Sequence, residues 1–139
     1  HGRPLIEIQL ETLRAAGVSE IGIVTGYRNE TFRFPTVKYF HNSRWSETNM
    51  LGSLLTASEW LENEDCLVCY SDILYNADTV SKIIHHRGSL VIPYNTEWLS
   101  VWKLRFKDPL DDAETFQTDE RGFLTEIGRK ASSVEEIKG

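Results

Sequence analysis

Residues able to do chemistry are concentrated at a few points of the chain. The first is Asp72, which closes the run Cys66-Leu67-Val68-Cys69-Tyr70-Ser71-Asp72. A continuous apolar stretch preceded by Glu64 and Asp65 predicts a strand covered on both faces. Open α/β sheets gather their ligands at the carboxyl ends of such strands, where a carboxylate can hold a divalent metal that carries phosphates. A residue that starts a turn or caps the next helix would look the same in this window. The second point is Asn42-Ser43-Arg44-Trp45-Ser46-Glu47-Thr48-Asn49-Met50, a loop rich in hydrogen-bonding groups that feeds a helix start. Free N–H groups there favour an anion or a polar ligand; plain capping by Thr48 and Asn49, with Trp45 packed as a lid, is the competing reading. The third is Asn95-Thr96-Glu97-Trp98 with Trp102, whose aromatic faces attract ammonium groups or simply pack on a sheet edge. The fourth is Arg129-Lys130, a basic pair that can meet a phosphate or only water.

Other chemistries find little support. The 4 histidines (His1, His41, His85, His86) fall at a terminus, in a loop and at a helix end, so no Ser-His-Asp arrangement can be argued. No G-x-S-x-G, Walker A or G-x-G-x-x-G occurs. Cys66 and Cys69 form a C-x-x-C without a second ligand pair for zinc. They read as small core residues on opposite faces of a strand, in a reducing cytoplasm. A net charge of −6 argues against a nucleic-acid partner. No apolar run approaches the ~20 residues of a membrane span.

These points need elements to position them. A chain of 139 residues can form one domain with a real core. Pro4 suits a first helical turn, Ile6, Leu10 and Leu13 share a face, and Gly17 stops the helix. Glu20 to Thr25 follows as a short strand, and Thr36 to Phe40 as another. Met50 to Leu61 predicts one helix with Leu51, Leu54, Leu55, Ser58 and Leu61 inward. Asn76 or Asp78 caps a helix running to about His86, with Val80, Ile83 and Ile84 inward. Ser89 to Tyr94 and Ser100 to Phe106 read as strands. Thr115 to Thr118 and Phe123 to Ile127 flank the turn Asp119-Glu120-Arg121-Gly122. Ser133 and Glu136 have capping-box spacing for a short helix. The expected fold class is α/β: a mixed, mainly parallel Rossmann-like sheet sandwiched by helices, with a β-rich C-terminal part, as one partial domain over residues 1–139.

Ordered motifs add a family resemblance. Gly2-Arg3-Pro4-Leu5-Ile6-Glu7, Leu13-Arg14-Ala15-Ala16-Gly17-Val18-Ser19-Glu20-Ile21, Ile23-Val24-Thr25-Gly26-Tyr27, Thr48-Asn49-Met50-Leu51-Gly52-Ser53-Leu54, Tyr70-Ser71-Asp72-Ile73-Leu74 and Phe123 to Lys130 occur in sequence. Together they resemble the sugar-phosphate nucleotidyltransferases, and within them the branch that includes phosphocholine cytidylyltransferases. The resemblance implies transfer of a nucleotide, CTP being the expected donor, to a phosphorylated small molecule with release of pyrophosphate. The acceptor is expected to be phosphocholine-like, an aminoalkylphosphonate or a sugar 1-phosphate. It implies Asp72 as a Mg²⁺ ligand, Thr48, Asn49 and Ser53 as nucleotide contacts, and Trp98, Glu114 and Lys130 at the acceptor. The expected partners are the nucleoside triphosphate and the phosphorylated substrate, with no nucleic acid and no membrane, and a homodimer is compatible.

The family's glycine-rich loop with its Arg and Pro-Lys would lie just before Gly2, and its second metal-binding aspartate beyond Gly139. The principal cationic catalytic group is therefore expected outside this stretch, and the stretch alone is expected to be inactive. Two other readings remain open. One is a non-catalytic nucleotide-binding domain of the same fold. The other is a nucleotide-sugar glycosyltransferase, against which Tyr70 counts, since Asp-x-Asp would need an acid there.

Overall fold

A computed structural model describes residues 2–137; His1, read above as a terminal histidine, and Lys138 and Gly139 lie outside them. The chain divides into two compact units, one up to Gly88 and one from Ser89 onward.

In the first unit, helix α1 (Leu5–Ala15) follows Pro4, whose φ of −58° already suits a helix start. Leu10 is its most deeply buried residue, at 3% exposure. The helix ends in a Schellman turn: Gly17 N–H donates to the Arg14 carbonyl at 3.0 Å and Val18 N–H to the Leu13 carbonyl at 3.1 Å. Gly17 sits at φ 90°, which a Cβ would strain. Strands β1 (Gly22–Thr25) and β2 (Lys38–His41) then pair in parallel, Gly22 opposite Lys38 and Thr25 opposite His41. Phe40 and Trp60 meet edge to face at 5.2 Å, with the Lys38 ammonium 5.0 Å from one ring centroid and 5.2 Å from the other.

Helices α2 (Met50–Leu54) and α3 (Ser58–Asn63) are separated by a 3₁₀ turn, Leu55–Ala57. The single helix expected over 50–61 is thus broken, where Thr56 Oγ1 donates to the Ser53 carbonyl at 2.8 Å. Leu51 and Leu55 of the expected inward stripe are exposed, and Ala57 is buried instead. Helix α4 (Ala77–Ile84) is capped by Asn76, whose side chain accepts from Thr79 N–H at 2.8 Å. Val80 is buried, whereas Ile84 is exposed.

The mainly parallel sheet is realised only in part, as one parallel pair here and one antiparallel pair in the second unit. Cys66 to Tyr70 is not a paired strand. No backbone–backbone hydrogen bond is formed by residues 65–75 among the described residues. A strand exists only through its ladder, and this segment faces a cavity of about 570 Å³ whose other walls include β1, Leu10 and Trp60. Ile21 and Thr25 turn their carbonyls to β2, accepting from Lys38 N–H at 2.9 Å and Asn42 N–H at 2.8 Å. By strand alternation the backbone groups of Gly22 and Val24 point away from β2. Cys66 and Cys69 are accordingly exposed free thiols and not core residues.

In the second unit, Ser89 to Tyr94 forms no strand, and the strand expected over 100–106 is helix α5 (Trp98–Arg105). The Asn95 side chain accepts from Glu97 N–H at 3.0 Å and its carbonyl from Trp98 N–H at 3.1 Å, which turns the chain into the helix. The alternation seen in sequence concealed the i, i+4 pair Trp98 and Trp102, both of which face the core. After a 3₁₀ turn at Pro109–Asp111, strands β3 (Glu114–Thr118) and β4 (Leu124–Lys130) form an antiparallel hairpin. Its turn is closed by Asp119, whose carboxylate accepts from Arg121 and Phe123 N–H, both at 2.9 Å. The expected C-terminal helix is a single 3₁₀ turn, Val134–Glu136. No described helix is long and apolar enough to cross a membrane.

Gly17→Ala should lower stability by about 1 kcal/mol. A urea midpoint that drops with an unchanged slope, followed by circular dichroism, is the expected result.

Candidate functional site

The best-organised polar cluster starts where the parallel ladder ends. Asn42 N–H continues the pairing with Thr25, and the Asn42 side chain, at 5% residue exposure, then turns into the loop that follows. Its Oδ1 accepts from Arg44 N–H at 2.9 Å. Its Nδ2 donates to Thr48 Oγ1 at 2.8 Å and to Ser53 Oγ at 3.0 Å. Thr48 Oγ1 in turn donates to the Arg44 carbonyl at 2.9 Å. Asn49 is the cap of α2, its Oδ1 accepting from Gly52 N–H at 3.0 Å. A Cβ on Gly52 would lie 2.8 Å from Thr48 Cβ, so glycine lets Thr48 seat against the helix. Trp45 lies over this end of the unit, its ring 5.3 Å from that of Tyr27. Thr48, Asn49 and Ser53 are therefore brought together at the carboxyl ends of β1 and β2, the edge at which open α/β sheets hold ligands.

Asp72 occupies an exposed turn after the unpaired segment and joins no ion pair or hydrogen bond among the described residues. Both ends of that turn are held by one side chain. Gln9 Nε2, on α1, donates to the Tyr70 carbonyl at 3.0 Å and to the Ile73 carbonyl at 2.7 Å. Gln9 is 5% exposed, and these bonds answer for an amide that would otherwise be buried unpaired. Sequence reasoning passed over Gln9; the available signal was a polar side chain beside Leu10 on the apolar face of α1. Nearby, the Tyr75 hydroxyl is buried without a hydrogen-bond partner of standard geometry. Burial pushes its pKa well above the ordinary phenol value, and the neighbouring Cys69 adds to the rise.

No group of three or more His, Cys, Asp or Glu side chains among the described residues could hold a metal by itself. A lone hard carboxylate suits Mg²⁺ when phosphates supply further oxygens, since Mg²⁺ is usually held through one or two carboxylates together with substrate phosphates.

The acceptor candidates all fall in the second unit. Trp98, at 7% exposure, packs with Ala113, Ala131 and Ile137 as that unit's core. Glu114 and Lys130, which adjoin those two alanines in sequence, face each other across the hairpin. Arg129 is paired with Glu126, which raises the guanidinium pKa and lowers that of the carboxyl. Lys130 joins no ion pair among the described residues. The Trp102 indole N–H is buried without a partner, a polar handle beside this core.

Alternating helix and strand, with amide and hydroxyl groups gathered at the carboxyl ends of parallel strands, defines a mixed α/β protein. The chain belongs to the MobA-like NTP transferase domain family, whose model matches residues 1–129. It is 34% identical to the CTP:phosphoglutamine cytidylyltransferase of Campylobacter jejuni, over 98% of this chain and 57% of that one. It is 33% identical to the choline-phosphate cytidylyltransferase of Haemophilus influenzae, over 73% of this chain and 46% of that one. It is 31% identical to the 2-aminoethylphosphonate cytidylyltransferase of Lancefieldella rimae, over 58% of this chain and 35% of that one. The chain thus spans between 35% and 57% of the length of these curated relatives. No solved structure matches it significantly.

Gln9→Leu should loosen the turn that carries Asp72. Faster limited proteolysis between Tyr70 and Leu74, with helical circular dichroism retained, is the expected outcome; unchanged cleavage would show that the turn holds without Gln9.

Proposed function

We propose that the protein is a CTP-dependent cytidylyltransferase whose acceptor is a small phosphorylated, nitrogen-bearing molecule. The observation that carries this reading is the family match over residues 1–129, with the three relatives named above each a cytidylyltransferase. The acceptors in their names (phosphoglutamine, choline phosphate and 2-aminoethylphosphonate) each join a phosphorus group to a small body bearing nitrogen. A hexose 1-phosphate lacks that nitrogen and is the disfavoured alternative.

In the reaction proposed, an oxygen of the acceptor's phosphate or phosphonate attacks the α-phosphorus of CTP in line. The bond to the leaving pyrophosphate breaks as the new phosphorus–oxygen bond forms. Catalysis of this kind rests on positioning and on neutralising charge. Thr48, Asn49 and Ser53, all in the first unit, are the nucleotide-side residues on this reading. Asp72 would hold Mg²⁺, which when bound neutralises phosphate charge. At the acceptor, Lys130 supplies a cation for the phosphorus group and Glu114, opposite it on the hairpin, favours a nitrogen-bearing body, while Trp98, buried in that unit's core, acts only as the packing beneath them. With CTP and small charged acceptors as substrates, the protein works, on this reading, in the cytoplasm.

The test is pyrophosphate release by the full-length polypeptide from CTP with each acceptor in turn. Turnover with a nitrogen-bearing acceptor and none with hexose 1-phosphate is expected; the reverse preference would sink the acceptor assignment. Asp72→Ala should cut turnover at least about 100-fold, the scale of losing one electrostatic group at such a site, with far-UV circular dichroism unchanged. Lys130→Ala should raise the KM for the acceptor by about tenfold and leave that for CTP nearly constant, as a charged contact on one substrate only requires.

A further inference from the structure

Asn42 touches the proposed nucleotide contacts from behind, and its hydrogen bonds define what those contacts can offer a ligand. The orientation of its amide is not ambiguous. A backbone N–H can only donate, so the atom facing Arg44 N–H is the oxygen, and the nitrogen faces Thr48 and Ser53. Both hydroxyls therefore accept from Asn42. Thr48 also donates to the Arg44 carbonyl, which leaves its hydrogen committed. Ser53 Oγ has no such outlet, since it donates to no group among the described residues. The two hydroxyls share one anchor but differ in what remains free.

We infer that Asn42 is a positioning residue that sets the polarity of the nucleotide site, holding Ser53 Oγ as a hydrogen-bond donor toward an acceptor oxygen of the ligand and reducing Thr48 to an internal strut. This rests on the nucleotide-binding reading given above and sharpens it. The hydrogen that Ser53 presents meets an acceptor atom of the ligand, such as a phosphate or carbonyl oxygen. Thr48 shapes the loop through Arg44 and Gly52 and has no hydrogen left to donate to the nucleotide.

Asn42→Asp reverses this polarity at nearly constant volume. A carboxylate only accepts, so both hydroxyls would turn their hydrogens inward and Ser53 would lose the one it presents. The full-length polypeptide is titrated with CTP by calorimetry as wild type, Asn42→Asp, Ser53→Ala and the double variant. Each single change should raise Kd about tenfold, the value of one hydrogen bond to a charged oxygen. The double variant should bind no more weakly than Ser53→Ala, because Asn42 acts through Ser53. Wild-type affinity in Asn42→Asp, or losses that multiply in the double variant, would overturn the inference.

The wild-type protein gives a second reading that needs no variant. The Asn42 Nδ2 hydrogens, held by the Thr48 and Ser53 hydroxyls, should exchange slowly with solvent by NMR, with and without CTP. Fast exchange in either state would overturn the assigned polarity. Failure of wild type to bind CTP would count instead against the functional reading, and the exchange measurement would still decide the polarity.

Discussion

The first unit depends on the handover at the end of the β1–β2 ladder. A parallel pair of four-residue strands is a short ladder, and its carboxyl end would leave backbone groups pointing into the loops. Asn42 takes up the last backbone bond and then continues the network with its side chain. A buried primary amide has two donors and an acceptor to place, and leaving them unpaired would cost about 1–3 kcal/mol each. Satisfying them draws the 42–53 loop into one conformation. The α2 cap, the seat of Thr48 on Gly52 and the outward side of Ser53 all follow from that requirement.

The turn at Asp72 obeys the same constraint through a different residue. It has no ladder of its own, and the amide of Gln9 supplies the missing donors from across the unit. The second unit uses apolar means instead. Trp98 fills the space between two alanines, and the hairpin ends beside it with Glu114 and Lys130 opposed. A small side chain at Ala113 and Ala131 is what allows so large a ring to be buried there.

Much of the scaffold was legible because its signals are local. Pro4 and Gly17 mark α1, Asn76 caps α4, and Asp119 with Gly122 closes the hairpin, each through a bond within a few residues. The segments at 66–70 and 89–94 carry the composition of strands, but composition does not supply a pairing partner, and none is present among the described residues. At 98–105 an alternating pattern and a helical one overlap, and the Asn95 turn selects the helix. Thr48, Asn49, Ser53 and Asp72 could be singled out from motif and position. Their supports could not, since Gln9 meets its carbonyls 61 and 64 residues away and a polar residue on an apolar face looks like a flaw until its partner is seen.

The open side of β1 carries one further consequence. Gly22 and Val24 present backbone donors and acceptors across a cavity to a segment that has no ladder of its own, with Val68 and Tyr70 each 52% exposed along it. Two facing edges without a ladder between them, lined by apolar side chains, are the surface on which polypeptides augment one another's sheets. Whatever enters that gap must bring hydrogen-bonding groups on both of its sides at the strand repeat of about 3.3 Å.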